Sequence, residues 1–525
     1  MQPQPNPADR HLWLRAQRHA SFRRWDDAIA DFHALIERHP SLYQARLLLA
    51  GVLLATNRVQ AAARQLLQAA AHLPEDAGAI HQVAQALSKV GESVAAVECL
   101  RHRVVRDSRS APALLAIAHV FQGLGLHQDA LALMDRARGL GLDDADFRYF
   151  RALQLQFNGR LDEAEREMEA CLGMGPTFGR ASLSLARIRR QTPEANHLDM
   201  IRERLATTES GSEDHASLEF ALHKELEDLG EHHGAWDALT RANKVMCGRL
   251  PYDEGAEEGL VAHLMRTLDS GTDEAVEPSA PGPIPIFVVG MPRSGTTLLE
   301  SILGRHSMVA ASGELADFPR QLRWAADVHG HTLLDEALLS ATPRLDFGLL
   351  GKRYLEQTQW RAGGRAYYVD KLPPNFMLVG HIRRALPQAR IVHMVRDPMD
   401  LCFSNFRAMF GDAYAYSYDL QRLAHHHGLY RRLMRHWHRT MPGAIHDVSY
   451  ADLVTDTETA CRALLQACGI PFEPQCLQHR RDSGAVATLS SAQVRQPIHA
   501  RGIGEWRRYE RQLQPLQALL EGDNA

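Results

Sequence analysis

The chain has 525 residues, too many for one ordinary hydrophobic core, so two or three domains are expected. Apolar residues make up 45% and charged residues 23%, the balance of a folded globular protein rather than a disordered one. With a net charge of −4, bulk basicity gives no reason to expect a nucleic-acid partner, although a local anion site stays open.

The opening, MQPQPNPADRHLWLRAQRH, has no apolar signal core, and no stretch approaches the ~20 apolar residues of a membrane span. The seven cysteines are odd in number and include no C-x-x-C pair, which fits free thiols in a reducing compartment. A cytoplasmic location without membrane attachment is therefore expected.

The first two hundred residues repeat. Ala16, Ala50, Ala84, Ala118, Ala152 and Ala186 lie 34 residues apart, and Ala28, Ala62, Ala96, Ala130 and Ala164 keep the same step. Asn57, Gly91, Gly125 and Gly159 form a third ladder, while Pro40, Pro74 and Pro176 share one phase at the end of the unit. Alanine lets antiparallel helices approach closely, glycine closes the turn between them, and proline is expected to start the next helix. This pattern resembles tetratricopeptide repeats, which stack into a superhelix with a concave face. The resemblance implies an all-α solenoid over residues 10–245 whose groove binds a peptide or protein; a spacer or assembly scaffold is the alternative. Phe220 to Val245 reads as one more, degenerate unit. A helical tail and a linker rich in proline and glycine follow over residues 246–283, the linker itself running from Asp269 to Pro285.

Beyond it, strand and helix patterns alternate over residues 284–525. Ile286 to Val289, Ala366 to Lys371, Ala389 to Val395 and Ala444 to Tyr450 read as strands, apolar on both faces where the sheet is central. Such runs argue for a mostly parallel sheet with helices on both sides, and ligands bind beyond the carboxyl ends of its strands. Gly290, Lys371 and Arg396 fall at such ends. GMPRSGTT, residues 290–297, keeps the glycine spacing of the phosphate loop G-x-x-x-x-G-K-[ST] but has Thr296 in place of the lysine. Backbone N–H groups at a helix N-terminus, the guanidinium of Arg293 and the hydroxyls of Ser294, Thr296 and Thr297 still make an anion site with Gly295. The missing lysine argues for a ligand without a γ-phosphate.

PRSGTT after a strand resembles the 5′-phosphosulfate loop of sulfotransferases that use 3′-phosphoadenosine 5′-phosphosulfate. MVRDPMDLCFSNF, with Arg396 and Ser404, is similar to that family's 3′-phosphate motif, and GIGEWRR, residues 502–508, to its late glycine–tryptophan segment. The likeness spans Pro283 to Arg508 and is greatest to tyrosylprotein sulfotransferases and bacterial relatives fused to tetratricopeptide repeats. It implies a P-loop-like α/β sulfotransferase domain with a central parallel sheet, using 3′-phosphoadenosine 5′-phosphosulfate and no metal. In ASGELADF it implies Glu314 as catalytic base, in VDKLPPN Lys371 as transition-state lysine, and in SSAQVRQP Ser490 beside the transferring group. Tyr450 in VSYADL matches a cofactor-contacting tyrosine. The family's lysine before the late tryptophan is Glu505 here, leaving Arg495, Arg501 or Arg507 to replace it, and Arg407 comes one position before the family's second arginine. The acceptor implied is a hydroxyl, of a protein tyrosine or of a small molecule.

Plainer readings stand beside these. A P-loop kinase, or an adaptor whose solenoid works over a degenerate enzyme domain, remains an alternative. Lys371 could pair with Asp370 at a strand end, and Ser404 could bond its own helix backbone. His425, His426 and His427 read as a solvated helix face rather than a metal site, and His393 is the substitute base. Cys402 reads as a buried small side chain.

Overall fold

The computed structural model describes residues 7–175, 178–267, 282–478, 485–488, 491, 495 and 497–522. Antiparallel helix pairs begin with Pro7–Ser21 and Trp25–Arg38, then Tyr43–Ala55 and Val59–Ala70, and continue to Glu213–Asp228 and His232–Arg249. Every alanine of both ladders is buried, none more than 2% exposed, because each sits where two helices cross too closely for a larger side chain. Ala118→Leu is accordingly expected to destabilise the chain by about 1–3 kcal/mol through overpacking, read as a lower denaturant midpoint.

The turn ladder extends one unit further than its glycines suggest. Arg23, Asn57, Gly91, Gly125 and Gly159 all have φ between 54° and 87°, the left-handed conformation that lets the chain reverse after the first helix of each unit. Helix starts carry a fourth phase: Asp76, Ser110, Asp144 and Ser212 each accept a hydrogen bond from the backbone N–H three residues on. Pro40 and Pro74 lie at the ends of their units, as the repeat pattern implies, but three residues ahead of helices that begin at Tyr43 and Ala77 rather than in their first turns; Pro176 is outside the described residues. Residues 268–281 of the linker are outside them too.

The second half holds a parallel five-stranded sheet: β1 (Ile284–Val289), β2 (Val309–Ala311), β3 (Tyr367–Asp370), β4 (Arg390–Val395) and β5 (Ile445–Ser449), in the order β2-β3-β1-β4-β5. β1 starts two residues before the apolar run and includes Pro285. Pairing with β4 begins only at Ile286, opposite Arg390, so the N–H that proline lacks has no partner to miss there. β2 was not anticipated. The two faces of β1 separate cleanly: Ile286 and Val288 pack with Leu299, Ile302 and Leu464, whereas Phe287 and Val289 join Phe318, Tyr354 and Leu433.

The solenoid is docked on this domain by its turns. Asn57 Oδ1 accepts from His329 N at 3.0 Å, Gly91 O from Gln321 Nε2 at 2.6 Å, and Leu124 O from Arg361 Nη1 at 3.0 Å. Phe157 O accepts from Arg495 Nη2 at 2.7 Å and from Val486 N at 2.9 Å. Buried polar pairs add to the seam: Ser93 Oγ donates to Asp317 Oδ1 at 2.6 Å, and Arg353 pairs with Glu92 at 2.7 Å. Further along, Leu183, Phe220, Leu239 and Leu264 belong to the same apolar cluster as Phe287 and Phe318, so the last repeats share a core with the sheet domain. No helix among the described residues is long and apolar enough to cross a membrane.

The histidine run corrects an expectation. His426 and His427 are buried in helix Leu420–Thr440 rather than solvated. His426 stacks on Tyr416 with ring centroids 3.6 Å apart and its Nδ1 is 2.6 Å from Glu257 Oε1, while burial pulls the His427 pKa down to about 3. The partners come from distant helices, so the neighbouring sequence alone could not show this face to be covered.

Candidate active site

The glycine loop links β1 to helix Thr296–Leu303, whose N-cap is Gly295. Gly295 has φ 115°, and a Cβ there would lie 2.7 Å from Tyr450 Cδ2 and 2.9 Å from Met394 Cε. The loop thus passes too close to the end of β4 for any side chain, and the helix it opens begins with N–H groups that have no acceptor within the helix. Asn405 Nδ2 donates to Pro292 O at 2.8 Å and holds the loop from the following helix. Thr296 and Thr297 are buried, Thr297 Oγ1 lying 3.4 Å from Thr488 Oγ1. The buried Ser294 Oγ finds no partner among the described residues.

Arg396, one residue past β4, ties the two ends of the site together. Its Nη1 donates to Arg293 O at 2.9 Å and its Nη2 to Gly502 O at 2.5 Å, with the guanidinium 4.5 Å over the Tyr450 ring. Its Nε is buried without a partner among the described residues. Arg293 Nε lies 3.4 Å from Ser404 Oγ, so the serine turns toward the loop. Burial, with the like charges of Arg407, Arg396 and Arg187, pushes the Arg293 pKa down to about 9. Arg407 is held between Glu227, at 3.4 Å, and Glu505; burial opposes its charge, but the two carboxylates outweigh it and raise its pKa. Glu505 is thus the counter-ion of Arg407. A cavity of about 280 Å³ opens here, bordered by Arg293, Ser404, Arg407, Arg501 and Arg508 and, from the solenoid, Arg190.

On the other side of the loop lies a cavity of about 700 Å³ that reaches Glu314, Arg293 and Thr297 on the sheet domain and Tyr149 and Phe157 on the solenoid. Glu314 follows β2, and its carboxylate is 2.6 Å from Lys371 Nζ, at the end of β3. Lys371 is fully buried and also lies 3.9 Å from Glu300 Oε2. Glu300, whose pKa burial raises, accepts from Gly313 N at 2.7 Å and so fixes the turn that presents Glu314. Asp370 faces away, 2.8 Å from the Tyr354 hydroxyl, so it is not the partner of Lys371.

The structure therefore gathers Arg293, Ser294, Gly295, Thr296, Thr297, Arg396, Ser404 and Tyr450 around one loop, with Arg501 on the smaller cavity. Glu314 sits at the larger one, with Lys371 fully buried behind it. Arg495 is placed elsewhere, bonded to Phe157 O against Gly159 of the solenoid, and Arg507 stacks over Trp506 at 5.6 Å. Ser490 lies outside the described residues, although Thr488 and Ser491 nearby are described. His393 borders neither cavity: its Nδ1 is 2.8 Å from Asp447 Oδ1, and its Nε2 meets the Tyr430 hydroxyl. With His438 it forms a grouping whose possible ligand atoms lie within 4.8 Å of one another. Cys402 is buried, and burial raises its pKa, as befits a packing side chain. Glu300 was missed, though a carboxylate inside the apolar run LLESIL was a usable signal. The solenoid's share of both cavities had no local signal.

A parallel sheet carries a glycine loop, two strand-end cations and a carboxylate–lysine pair at its carboxyl edge, here covered by a helical solenoid. Residues 285–474 match the model of the sulfotransferase family and residues 14–97 that of the tetratricopeptide repeat. The chain is a tetratricopeptide solenoid joined to a sulfotransferase-family domain. An uncharacterized protein of Aquifex aeolicus (strain VF5) is 34% identical over 318 residues, 58% of this chain but only 41% of its own length. A putative protein-tyrosine sulfotransferase of Caenorhabditis briggsae is 25% identical over 42% of this chain and 80% of its own. Among solved structures, the sulfotransferase domain of the Synechococcus PCC 7002 olefin synthase is 23% identical, covering 44% of this chain and 90% of that one, with a TM-score of 0.32.

Proposed function

We propose that the chain is a sulfotransferase that moves the sulfuryl group of 3′-phosphoadenosine 5′-phosphosulfate to a hydroxyl acceptor, with a peptide tyrosine as the leading acceptor class. One observation carries this: the Glu314–Lys371 pair opens on a cavity that shares the loop arginine, Arg293, with a second, cationic cavity. A donor with two anionic ends fits the smaller site. It offers clustered guanidinium groups, and behind its Arg293 lie two buried polar atoms, Ser294 Oγ and Arg396 Nε, that lack partners among the described residues. The lysine that a γ-phosphate needs is replaced by Thr296. When bound, the donor supplies an activated sulfuryl group on its 5′-phosphate.

The chain's own residues divide the remaining work. Glu314 takes the acceptor proton, and Lys371 holds the Glu314 carboxylate in place and adds positive charge where negative charge builds. Arg293 to Thr297 grip the 5′ end, and Ser404, Arg396 and Arg501 the 3′ end. The solenoid, over 10–245, borders the acceptor cavity of the 284–525 domain, which favours a peptide or protein acceptor. Protein-tyrosine sulfotransferases among the curated relatives support the same reading. The seven thiols are all free, which suits a cytoplasmic location.

A thermal-shift panel tests the donor. At 100 times its dissociation constant, 3′-phosphoadenosine 5′-phosphate should stabilise the full chain by about 2.7 kcal/mol, with a clear rise in Tm, and ATP and GTP should not. Preferential stabilisation by Mg-ATP would identify a kinase, and no response to any nucleotide an adaptor. Arg396→Ala releases both the loop and the Gly502 segment. It is expected to weaken 3′-phosphoadenosine 5′-phosphate by about tenfold or more in calorimetry, and equal affinity would remove Arg396 from the binding site.

A further inference from the structure

Arg187 is the last-turn cation of solenoid helix Gly179–Ile188. Its neighbours Ala186 and Ile188 are buried in the solenoid, which turns Arg187 off the packed face and toward the sheet domain. Among the described residues it and Arg293 are the two that border both cavities, so it stands where the donor and acceptor sites meet. Its side chain makes no hydrogen bond or ion pair to any described residue. Of the carboxylates that border the two cavities, all but Asp412 are already committed: Glu213 to Arg180 at 2.6 Å, Glu314 to Lys371, Glu227 and Glu505 to Arg407, and Asp228 to Lys224. Arg293 is close enough for the two like charges to act on each other, and burial pushes the Arg187 pKa down to about 10. A desolvated guanidinium facing another guanidinium is unfavourable unless an anion lies between them.

We propose that Arg187, supplied by the solenoid, contacts the transferring sulfuryl group and is a catalytic residue of the reaction. This rests on the sulfotransferase reading above. As the acceptor oxygen bonds to sulfur, the bond from sulfur to the 5′-phosphate oxygen breaks. Its electron pair leaves with the phosphate, and the hydroxyl proton passes to Glu314. Negative charge is spread over the sulfuryl oxygens and the leaving oxygen throughout. A fork of N–H donors beside Arg293 answers that charge from the side opposite the loop. The solenoid then completes the active site as well as bordering it.

Calorimetry on the full chain, with 3′-phosphoadenosine 5′-phosphosulfate and separately with the desulfated nucleotide, tests the assignment. Arg187→Ala is expected to weaken the sulfated nucleotide by about tenfold to a hundredfold and the desulfated one by less than about threefold. Arg187→Lys, which keeps the charge but not the fork, should recover part of the loss. Equal losses for both nucleotides would make Arg187 a phosphate grip and overturn the proposal; unchanged affinities would overturn it as well. Failure of the wild-type chain to bind either nucleotide would instead refute the sulfotransferase reading. Should Arg187→Ala unfold, Arg187→Gln takes its place in the same comparison.

Discussion

Glu314→Ala is expected to keep its affinity for 3′-phosphoadenosine 5′-phosphate while turnover of a tyrosine peptide falls by ~10²–10⁴-fold, the usual contribution of a positioned general base. The separation of the two effects follows from geometry. Glu314 faces the 700 Å³ cavity and does not border the cationic one, so its loss removes a proton acceptor without disturbing the phosphate grip. Glu314→Gln sharpens the test, because the amide can still occupy the place beside Lys371 but cannot take a proton. Unchanged turnover of radiolabelled sulfate in either variant would mean that the base is another group.

Lys371→Met should be the more damaging change, lowering turnover by ~10²–10³-fold and stability together. The ammonium is fully buried between Glu314 and Glu300, and removing it leaves Glu300 with the Gly313 N–H as its one partner among the described residues. The stability loss expected for a buried group left short of a partner is about 1–3 kcal/mol, measured as a shift of the denaturant midpoint. Lys371→Arg should not restore activity, because a planar guanidinium cannot occupy a site shaped around a compact ammonium. A Lys371→Met variant with wild-type stability and turnover would separate this residue from both roles.

Much of this was legible in the chain itself, for identifiable reasons. The alanine ladders could be read because helix crossings demand a small residue at fixed intervals, and the turn ladder because a positive φ favours Gly or Asn. Arg23 escaped notice in that ladder because arginine only rarely adopts this conformation. The strand ends carrying Gly290, Lys371 and Arg396 were marked by apolar runs that stop at a polar or glycine residue. Short β2 has too few residues to show any periodicity. The burial of His426 depends on Glu257 and Tyr416, and the pairing of Arg407 on Glu227 and Glu505. Such partners meet only once the chain is folded. The same holds for Arg187, an ordinary helix-end arginine in sequence, whose setting is made by a domain that begins a hundred residues later.

A free-standing array of this kind can lengthen or shorten by whole units at little expense. Here four successive turns each meet a different group on the other half of the chain: Asn57 with His329, Gly91 with Gln321, Leu124 with Arg361, and Phe157, beside Gly159, with Arg495. Deleting or duplicating one unit would leave the helices stacked as before but offset every later contact by a full step. The number of repeats is therefore tied to the sheet domain, and duplication, the ordinary evolutionary route of such arrays, would break this seam.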